Sequence, residues 1–285
     1  MTRWLYIDHS VVSDPTMWPA VEEAVASGDV QLALSLWNLF EIGAASDMVQ
    51  QNERLAFLAA LNPLWLVERR DVQKQEVQRF LWRQYLDGEP DDIIVASPFL
   101  SMVDSFLCGR DVRIGLTPLR FIRELDYGML NPLKKLSPDA QKMLKAAAPT
   151  ELKARDKEIF TAWLLDSVPV SDPNGRLMSI ARRTELVERC YQERARFLAA
   201  CPAMAVEDAL TTLRTSDRTR VPRESDGPDA FHSVVALSYC NIFFTRDRHQ
   251  AHSARAIRCM LPGLSLAEVC TQADKLLSQV LVMWA

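Results

Sequence analysis

The sequence of 285 residues lacks the features that mark several protein classes. No apolar run reaches the roughly 18–20 residues that span a bilayer. Asp8 interrupts the N-terminal apolar run early, so we expect no signal peptide. None of the six cysteines forms a C-x-x-C pair, which predicts reduced, mostly buried thiols rather than a zinc site or a disulfide framework. The sequence therefore predicts a cytoplasmic protein with no membrane partner.

Three common ligand-binding motifs are also missing. The chain contains no G-x-x-x-x-G-K-[ST], no G-x-G-x-x-G and no G-x-S-x-G, so P-loop, dinucleotide-binding and serine-hydrolase functions have no support. What is present is the composition of an ordinary soluble protein, with 48% hydrophobic and 25% charged residues. A chain of this length buries a sizeable core without disulfides, and disordered and collagen-like classes are excluded.

The net charge of −4 is unevenly distributed along the chain. Residues 110–223 hold 21 Lys and Arg against 15 Asp and Glu, a balance of +6, whereas the rest of the chain has a balance of −10. Solvated helix faces explain such a basic region, and charge alone favours that explanation. The alternative is a surface that attracts phosphates.

Short apolar runs alternate with helical patterns at both ends of the chain. The runs typical of buried strands are residues 4–7, 30–36, 65–67 and 242–245, and the clearest helices are residues 18–27, 71–86 and 230–239. The middle, residues 118–213, is mainly helical. This order predicts an α/β core with a parallel sheet, built from both ends of the chain and interrupted by a helical insertion.

Four acidic residues follow or flank these apolar segments: Asp8, Glu41, Asp229 and Asp247. Ligands of open α/β sheets bind outside the carboxyl ends of the strands, and we expect the four carboxylates to meet there. Carboxylates converging in a dry interior repel one another unless cations lie between them. Oxygen ligands select hard ions, so the pattern favours Mg²⁺ or Mn²⁺.

Each acid also has a purely structural interpretation. Asp8 could end a strand and begin a turn, and a lone Glu41 is more often a solvated helix residue. Asp229 follows Gly227 and Pro228 and suits a helix N-cap, while Asp247 stands between two arginines in a turn. The order of the four along the chain is more specific than any one of them.

That order resembles the PIN-like nuclease family, which includes toxin–antitoxin endoribonucleases. The resemblance rests on Ile7-Asp8-His9-Ser10, on Ser35 through Glu41 with Asn38 between them, and on two aspartates eighteen positions apart, Asp229 and Asp247. It covers about half of the chain, its two ends. Asn241 departs from it, because some relatives carry a further Asp there, and residues 118–213 have no counterpart.

The resemblance implies a three-layer parallel sheet of PIN/flap-endonuclease-like type. Its core would be residues 1–115 and 224–285, with residues 116–223 as a helical insertion in the same globule or a small subdomain. By resemblance Asp8, Glu41, Asp229 and Asp247 are both the catalytic residues and the ligands of Mg²⁺ or Mn²⁺. Small polar side chains would orient the metal site or the substrate: Ser10, Asn38, His232 and Thr245.

The implied activity is metal-dependent hydrolysis of phosphodiester bonds, with single-stranded RNA as the expected substrate. We expect Arg218, Arg220 and Arg223 to bind the nucleic acid, because they lie in the basic region. The resemblance also allows an inhibitory protein partner, a toxin role and a homodimer. Two rival functions stay open: a non-catalytic scaffold that binds nucleic acid or protein, and a phosphohydrolase acting on small nucleotides.

The four histidines are weaker candidates. His249 and His252 are one helical turn apart, but no third ligand has a persuasive spacing, so solvated or capping roles are favoured. His9 and His232 stand beside the predicted acids and could contact a phosphate or a carboxylate.

Overall fold

A computed structural model describes residues 3–106, 115–125, 155–217, 219–223 and 226–282, with isolated residues at 139, 142–143, 146–147 and 150–151. Arg218, one of the three arginines predicted to bind nucleic acid, lies outside these residues.

The core is one six-stranded sheet. Its strands are β1 (Arg3–Ile7), β2 (Val30–Leu34), β3 (Leu64–Leu66), β4 (Ala96–Ser97), β5 (Ile242–Phe244) and β6 (Glu268–Cys270). They are ordered β4-β3-β2-β1-β5-β6, and all neighbours are parallel except β4, which runs antiparallel to β3. The prediction of an α/β fold built from both ends of the chain is confirmed, and the predicted parallel sheet is found except at β4, which is antiparallel.

Helices connect and cover the strands. In chain order they are α1 (His9–Val12), α2 (Trp18–Ala26), α3 (Leu36–Gly43), α4 (Met48–Ala60), α5 (Arg69–Tyr85), α6 (Phe99–Phe106), α7 (Pro118–Glu124), α8 (Asp156–Leu165), α9 (Ile180–Gln192), α10 (Arg194–Ala200), α11 (Pro202–Ser216), α12 (Asp226–Tyr239), α13 (Arg248–Met260) and α14 (Ala273–Val282). No helix among the described residues has both the length and the apolar character that a membrane crossing requires.

The sheet is buried on both faces because its strands are apolar at successive positions. Leu5 and Ile7 of β1 point into one apolar cluster, whereas Tyr6 points into the other. The first cluster includes side chains of α2, α3 and α4, and the second those of α11, α12 and α13. A parallel sheet between two helical layers explains why the strands are continuous apolar runs rather than alternating ones.

The helical middle of the chain packs on the second layer. Phe160, Leu186 and Phe197 of α8 to α10 form a third apolar cluster with Phe80 of α5. The next helix, α11, contacts α5, α12 and α13 and so connects this cluster to the helices that cover the sheet. The boundaries of the insertion, residues 116–223, remain a prediction.

Two local predictions are corrected. The second strand ends at Leu34, and the predicted run to residue 36 is too long because Ser35 caps α3 with Asn38 as its reciprocal partner. The N-cap interpretation of Asp229 is wrong, because α12 already begins at Asp226 and Asp229 lies in its first turn. The buried Asp226 carboxylate accepts a hydrogen bond from Arg223 N, which fixes the earlier start.

Candidate functional site

Asp8 is the most buried of the four predicted acids, with 2% of its surface exposed. It follows β1 directly and caps α1, accepting a hydrogen bond from Val11 N. Each carboxylate oxygen also accepts a hydroxyl hydrogen bond of 2.6 Å, Oδ1 from Ser10 and Oδ2 from Thr245. Asp8 makes no ion pair with Lys or Arg in the described part of the chain. Ser10 and Thr245 thus orient this carboxylate, and their predicted role at a metal site stays a prediction.

Glu41 reaches the same edge from α3. Its Oε2 lies 2.8 Å from Nε2 of His232 and 3.9 Å from Nδ1 of His9. The Glu41 side chain is 31% exposed, whereas the His232 side chain is 1% exposed. A buried ring therefore holds a carboxylate that itself remains accessible to solvent. The predicted proximity of His9 and His232 to the acids is confirmed.

The other side of the His232 ring faces a buried polar network. Its Nδ1 contacts the Tyr6 hydroxyl and lies 3.3 Å from Ser35 Oγ. The Asn38 amide is fixed at both ends, since Nδ2 donates to Ile7 O and Oδ1 accepts from Ser35 N. The spacing of Ser35 and Asn38 thus closes the first turn of α3 and connects it, through His232, to Glu41.

Asp229 and Asp247 are joined by a residue that the sequence did not single out, Gln250. The Gln250 side chain donates from Nε2 to Asp229 Oδ1 at 2.8 Å, and its backbone N–H donates to Asp247 Oδ1 at 3.0 Å. Asp247 is exposed and caps α13, and its own N–H donates to Thr245 Oγ1. Hydrogen bonds therefore run from Asp229 through Gln250, Asp247 and Thr245 to Asp8.

Burial shifts the pKa of two of the predicted acids, Asp8 and Asp229. It raises the pKa of Asp8 to about 6, although the Ser10 and Thr245 hydroxyls act in the opposite direction. Burial also raises the pKa of Asp229 above its ordinary value, and the Asp247 carboxylate adds to the shift.

The two histidines shift in opposite directions. Burial lowers the pKa of His9. Burial also opposes protonation of His232, but Glu41 and Asp8 outweigh it and hold its pKa above the usual value. The site therefore carries an excess of negative charge that one buried imidazole offsets only in part.

The chemistry of the donor set fits a hard divalent cation. The four predicted ligands supply only carboxylate oxygens, and the Oε1 of Gln250 is a buried oxygen with no hydrogen-bond partner in the described residues. The expected convergence of the four carboxylates on one metal position is nevertheless not found among the described residues. Within the described ranges, no three His, Cys, Asp or Glu side chains are arranged as a metal site.

Two of the predicted nucleic-acid contacts, Arg220 and Arg223, lie just before α12. The guanidinium of Arg220 pairs with both carboxylate oxygens of Asp226. Arg223 is exposed, while its backbone N–H donates to the same carboxylate. His249 and His252 are both exposed on α13, consistent with solvated histidines.

Tyr6 and Gln250 are site residues that the sequence analysis missed. Tyr6 lies between Leu5 and Ile7 in β1, and its side chain points to the opposite face of the sheet. The alternation of side chains along a strand could have predicted this orientation. Gln250 lies three positions after Asp247. Its side chain is buried although the neighbouring Arg248 and His249 are exposed, and no local sequence pattern predicts this burial.

Comparison of the chain with protein-family models, with curated proteins and with solved structures finds no match. The function must therefore be inferred from the geometry of the site.

Proposed function

We propose that this protein is a metal-dependent nuclease that hydrolyses phosphodiester bonds of single-stranded RNA. The observation that carries the proposal is the buried Asp8 carboxylate, held by two hydroxyls beside Glu41 and linked by hydrogen bonds to Asp247 and Asp229. Burying a carboxylate without a cationic partner destabilises the folded protein, and a bound cation would offset this effect. The resemblance to PIN-like nucleases, carried by the same four acids, supports the same chemistry.

In this proposal Asp8, Glu41, Asp229 and Asp247 hold Mg²⁺ or Mn²⁺. A divalent cation bound there would lower the pKa of a water molecule and stabilise charge on the phosphoryl oxygens. Ser10 and Thr245 fix the direction of the Asp8 carboxylate. His232, buried and hydrogen-bonded on both ring nitrogens, fixes Glu41, and Asn38 holds the hydroxyl network behind His232.

The test is cleavage of labelled single-stranded RNA by the purified protein with Mn²⁺ or Mg²⁺. We expect cleavage that needs the cation and is lost when Asp8→Asn and Asp247→Asn are combined. Asn retains the capping geometry at both positions, so the variant should fold. The matched control is Asp166→Asn, an exposed aspartate at the end of α8, which should cleave as the wild type does.

The rival functions give other results. Hydrolysis of mononucleotides but not of RNA would identify a small-nucleotide phosphohydrolase. Cleavage that persists in the double variant would show that the site is assigned incorrectly. A folded protein that binds RNA, DNA or a protein partner without turnover in either cation would be a non-catalytic scaffold, and the proposal would be wrong.

A further inference from the structure

Helix α13 carries an unusual concentration of basic side chains beside the candidate site. Its sequence contains three arginines and two histidines and no acidic residue. Exposed positions recur at Arg248, His252 and Arg255, which are four and three residues apart and so lie along one side of the helix. We name these three residues the basic face of α13.

The basic face of α13 is not used inside the protein. Within the described residues, neither Arg248 nor His252 has a side-chain hydrogen bond or an ion pair, and the contact of Arg255 is a 3.5 Å hydrogen bond to Thr271. Arg258, on another side of the helix, is instead paired with Glu268.

The position of Arg248 opposes helix stability. It is the first residue of α13, where the helix dipole disfavours a cation. His249 follows it, and Arg246 precedes the Asp247 cap and pairs with Asp14. The Asp247 carboxylate already accepts the N–H groups of His249 and Gln250, so an anion at this end of the helix would be bound by the exposed cationic side chains.

The fold connects this surface to the candidate site. Asp247 caps α13, so the first basic residue immediately follows a predicted metal ligand. From Arg248 to Arg255 the helix rises about 10 Å away from that edge. The loop predicted from sequence to bind nucleic acid is less suitable, because the Arg220 guanidinium is occupied by the buried Asp226.

We propose that the basic face of α13 binds the phosphate backbone of single-stranded RNA and leads it to the carboxylates at the sheet edge. This inference rests on the proposed function for its substrate class, but it concerns binding rather than chemistry. Arg248 and Arg255 would contact separate phosphates, with His252 between them. Such contacts make affinity fall with salt concentration.

The experiment measures binding and cleavage separately. Binding of a fluorescently labelled single-stranded RNA of mixed sequence is followed by anisotropy in EDTA, where no cation supports cleavage, over a series of salt concentrations. The variant is Arg248→Gln with Arg255→Gln. The matched control is Arg83→Gln with Arg176→Gln, which removes two exposed arginines from the end of α5 and from the turn before α9.

We expect the α13 variant to bind about tenfold more weakly at low salt. The slope of log affinity against log salt should fall by about 1.4, since each phosphate contact on a single strand contributes roughly 0.7. In the presence of Mn²⁺ its KM for RNA should rise with little change in kcat. The control should bind within about twofold of the wild type, with an unchanged slope.

Several results would overturn the inference. Equal weakening in both variants would show an effect of net charge alone. Weakening confined to Arg220→Gln with Arg223→Gln would place the RNA on the loop before α12. Absence of RNA binding by the wild type would also refute it. The proposed function is tested independently. If the α13 variant binds RNA as the wild type does and RNA is still cleaved, only the binding role of the basic face of α13 is refuted. If the α13 substitutions weaken RNA binding but the wild type does not cleave RNA, only the nuclease activity is refuted.

Discussion

The Thr245 hydroxyl donates a hydrogen bond of 2.6 Å to Asp8 Oδ2, joining residues 237 positions apart in the chain. Asp8 follows β1, and Thr245 follows the neighbouring parallel strand β5. The same hydroxyl oxygen accepts the N–H of Asp247 at 3.0 Å. One buried threonine therefore sets the direction of one predicted ligand and the backbone position of another.

Thr245→Val tests this arrangement. Valine has the shape of threonine without the hydroxyl, so Asp8 Oδ2 and the N–H of Asp247 each lose a partner. We expect RNA cleavage to fall by about 10- to 100-fold, the range typical of residues that orient metal ligands, and the free energy of unfolding to fall by about 1–3 kcal/mol. Rates are measured at saturating Mn²⁺, and unfolding by urea titration.

Two matched variants make this result specific. Thr245→Ser keeps the hydroxyl and should restore most of the activity. Thr211→Val removes an exposed threonine hydroxyl from α11 and should leave cleavage unchanged. If Thr245→Val were as active as the wild type, the orientation of Asp8 by Thr245 would not matter for catalysis.

Asp8→Asn should increase stability while it removes activity. The pKa of Asp8 is about 6 in the folded protein and 3.8 for an unperturbed aspartate, so the folded state binds more protons than the unfolded state between these values. The stability of the wild type should therefore fall by about 3 kcal/mol as pH rises from 4 through 6, and then level off. The amide that replaces the carboxyl group carries no charge and lacks this contribution.

The measurement is urea unfolding of both proteins in EDTA at several pH values. We expect the free energy of unfolding of the variant to rise relative to that of the wild type from pH 4 to 6, and the difference to stay constant above about pH 6.5. Adding Mn²⁺ should reverse the order at about pH 7.5, because ligand binding stabilises only the protein that retains the carboxylate. A difference independent of pH would contradict the raised pKa of Asp8.

Much of the fold was accessible from sequence because it depends on local pattern. The apolar runs before Asp8 and Asp247 are buried parallel strands, and the rule that parallel strands present their carboxyl ends at one edge places both aspartates at that edge, where Thr245 connects them by hydrogen bonds. The Ser35–Asn38 spacing likewise has a local cause, the reciprocal cap of α3.

The remaining contacts depend on packing between distant elements. Tyr6 and His232 are 226 positions apart, and their contact depends on how α12 crosses the sheet. Gln250 joins Asp229 to Asp247 only because α13 packs beside α12. Sequence periodicity identifies the buried side of a helix, but it does not specify which partner a buried polar group meets there. The roles of the four acids as metal ligands stay predictions.

Gln250→Glu tests whether cation binding is linked to the acid cluster. The substitution replaces the amide that donates to Asp229 with a carboxylate, which places like charges together in a largely buried environment. Without divalent cations the variant should unfold about 1–3 kcal/mol more easily than the wild type near neutral pH. With Mn²⁺ the added ligand should give a larger gain in Tm than the wild type shows.

The two effects are compared by thermal unfolding in EDTA and in millimolar Mn²⁺. Gln250→Met, which removes both the donor and the acceptor without adding charge, is the control and should show a smaller gain in Tm than the wild type. Equal gains in Tm on addition of Mn²⁺ in all three proteins would show that Gln250 does not take part in cation binding.

Glu76 gives a prediction that does not depend on the proposed function. This carboxylate of α5 is 1% exposed and accepts hydrogen bonds from the N–H groups of Ala203 and Met204, at the start of α11, and from the Tyr239 hydroxyl. It thereby joins the helical middle of the chain to α12. Burial raises its pKa from 4.5 to about 7, with the hydrogen bonds acting in the opposite direction.

Because the folded pKa lies above the unfolded one, the contribution of Glu76 to stability is fully present below pH 4.5 and is lost as pH rises through about 7. The loss amounts to about 3 kcal/mol. Glu76→Gln should remove this pH dependence, while Tyr239→Phe deletes a hydrogen bond that lowers the pKa and should move the loss to higher pH. Urea unfolding from about pH 4.5 to 8 measures both effects. A Glu76→Gln curve parallel to that of the wild type would show that this buried carboxylate does not titrate in this range.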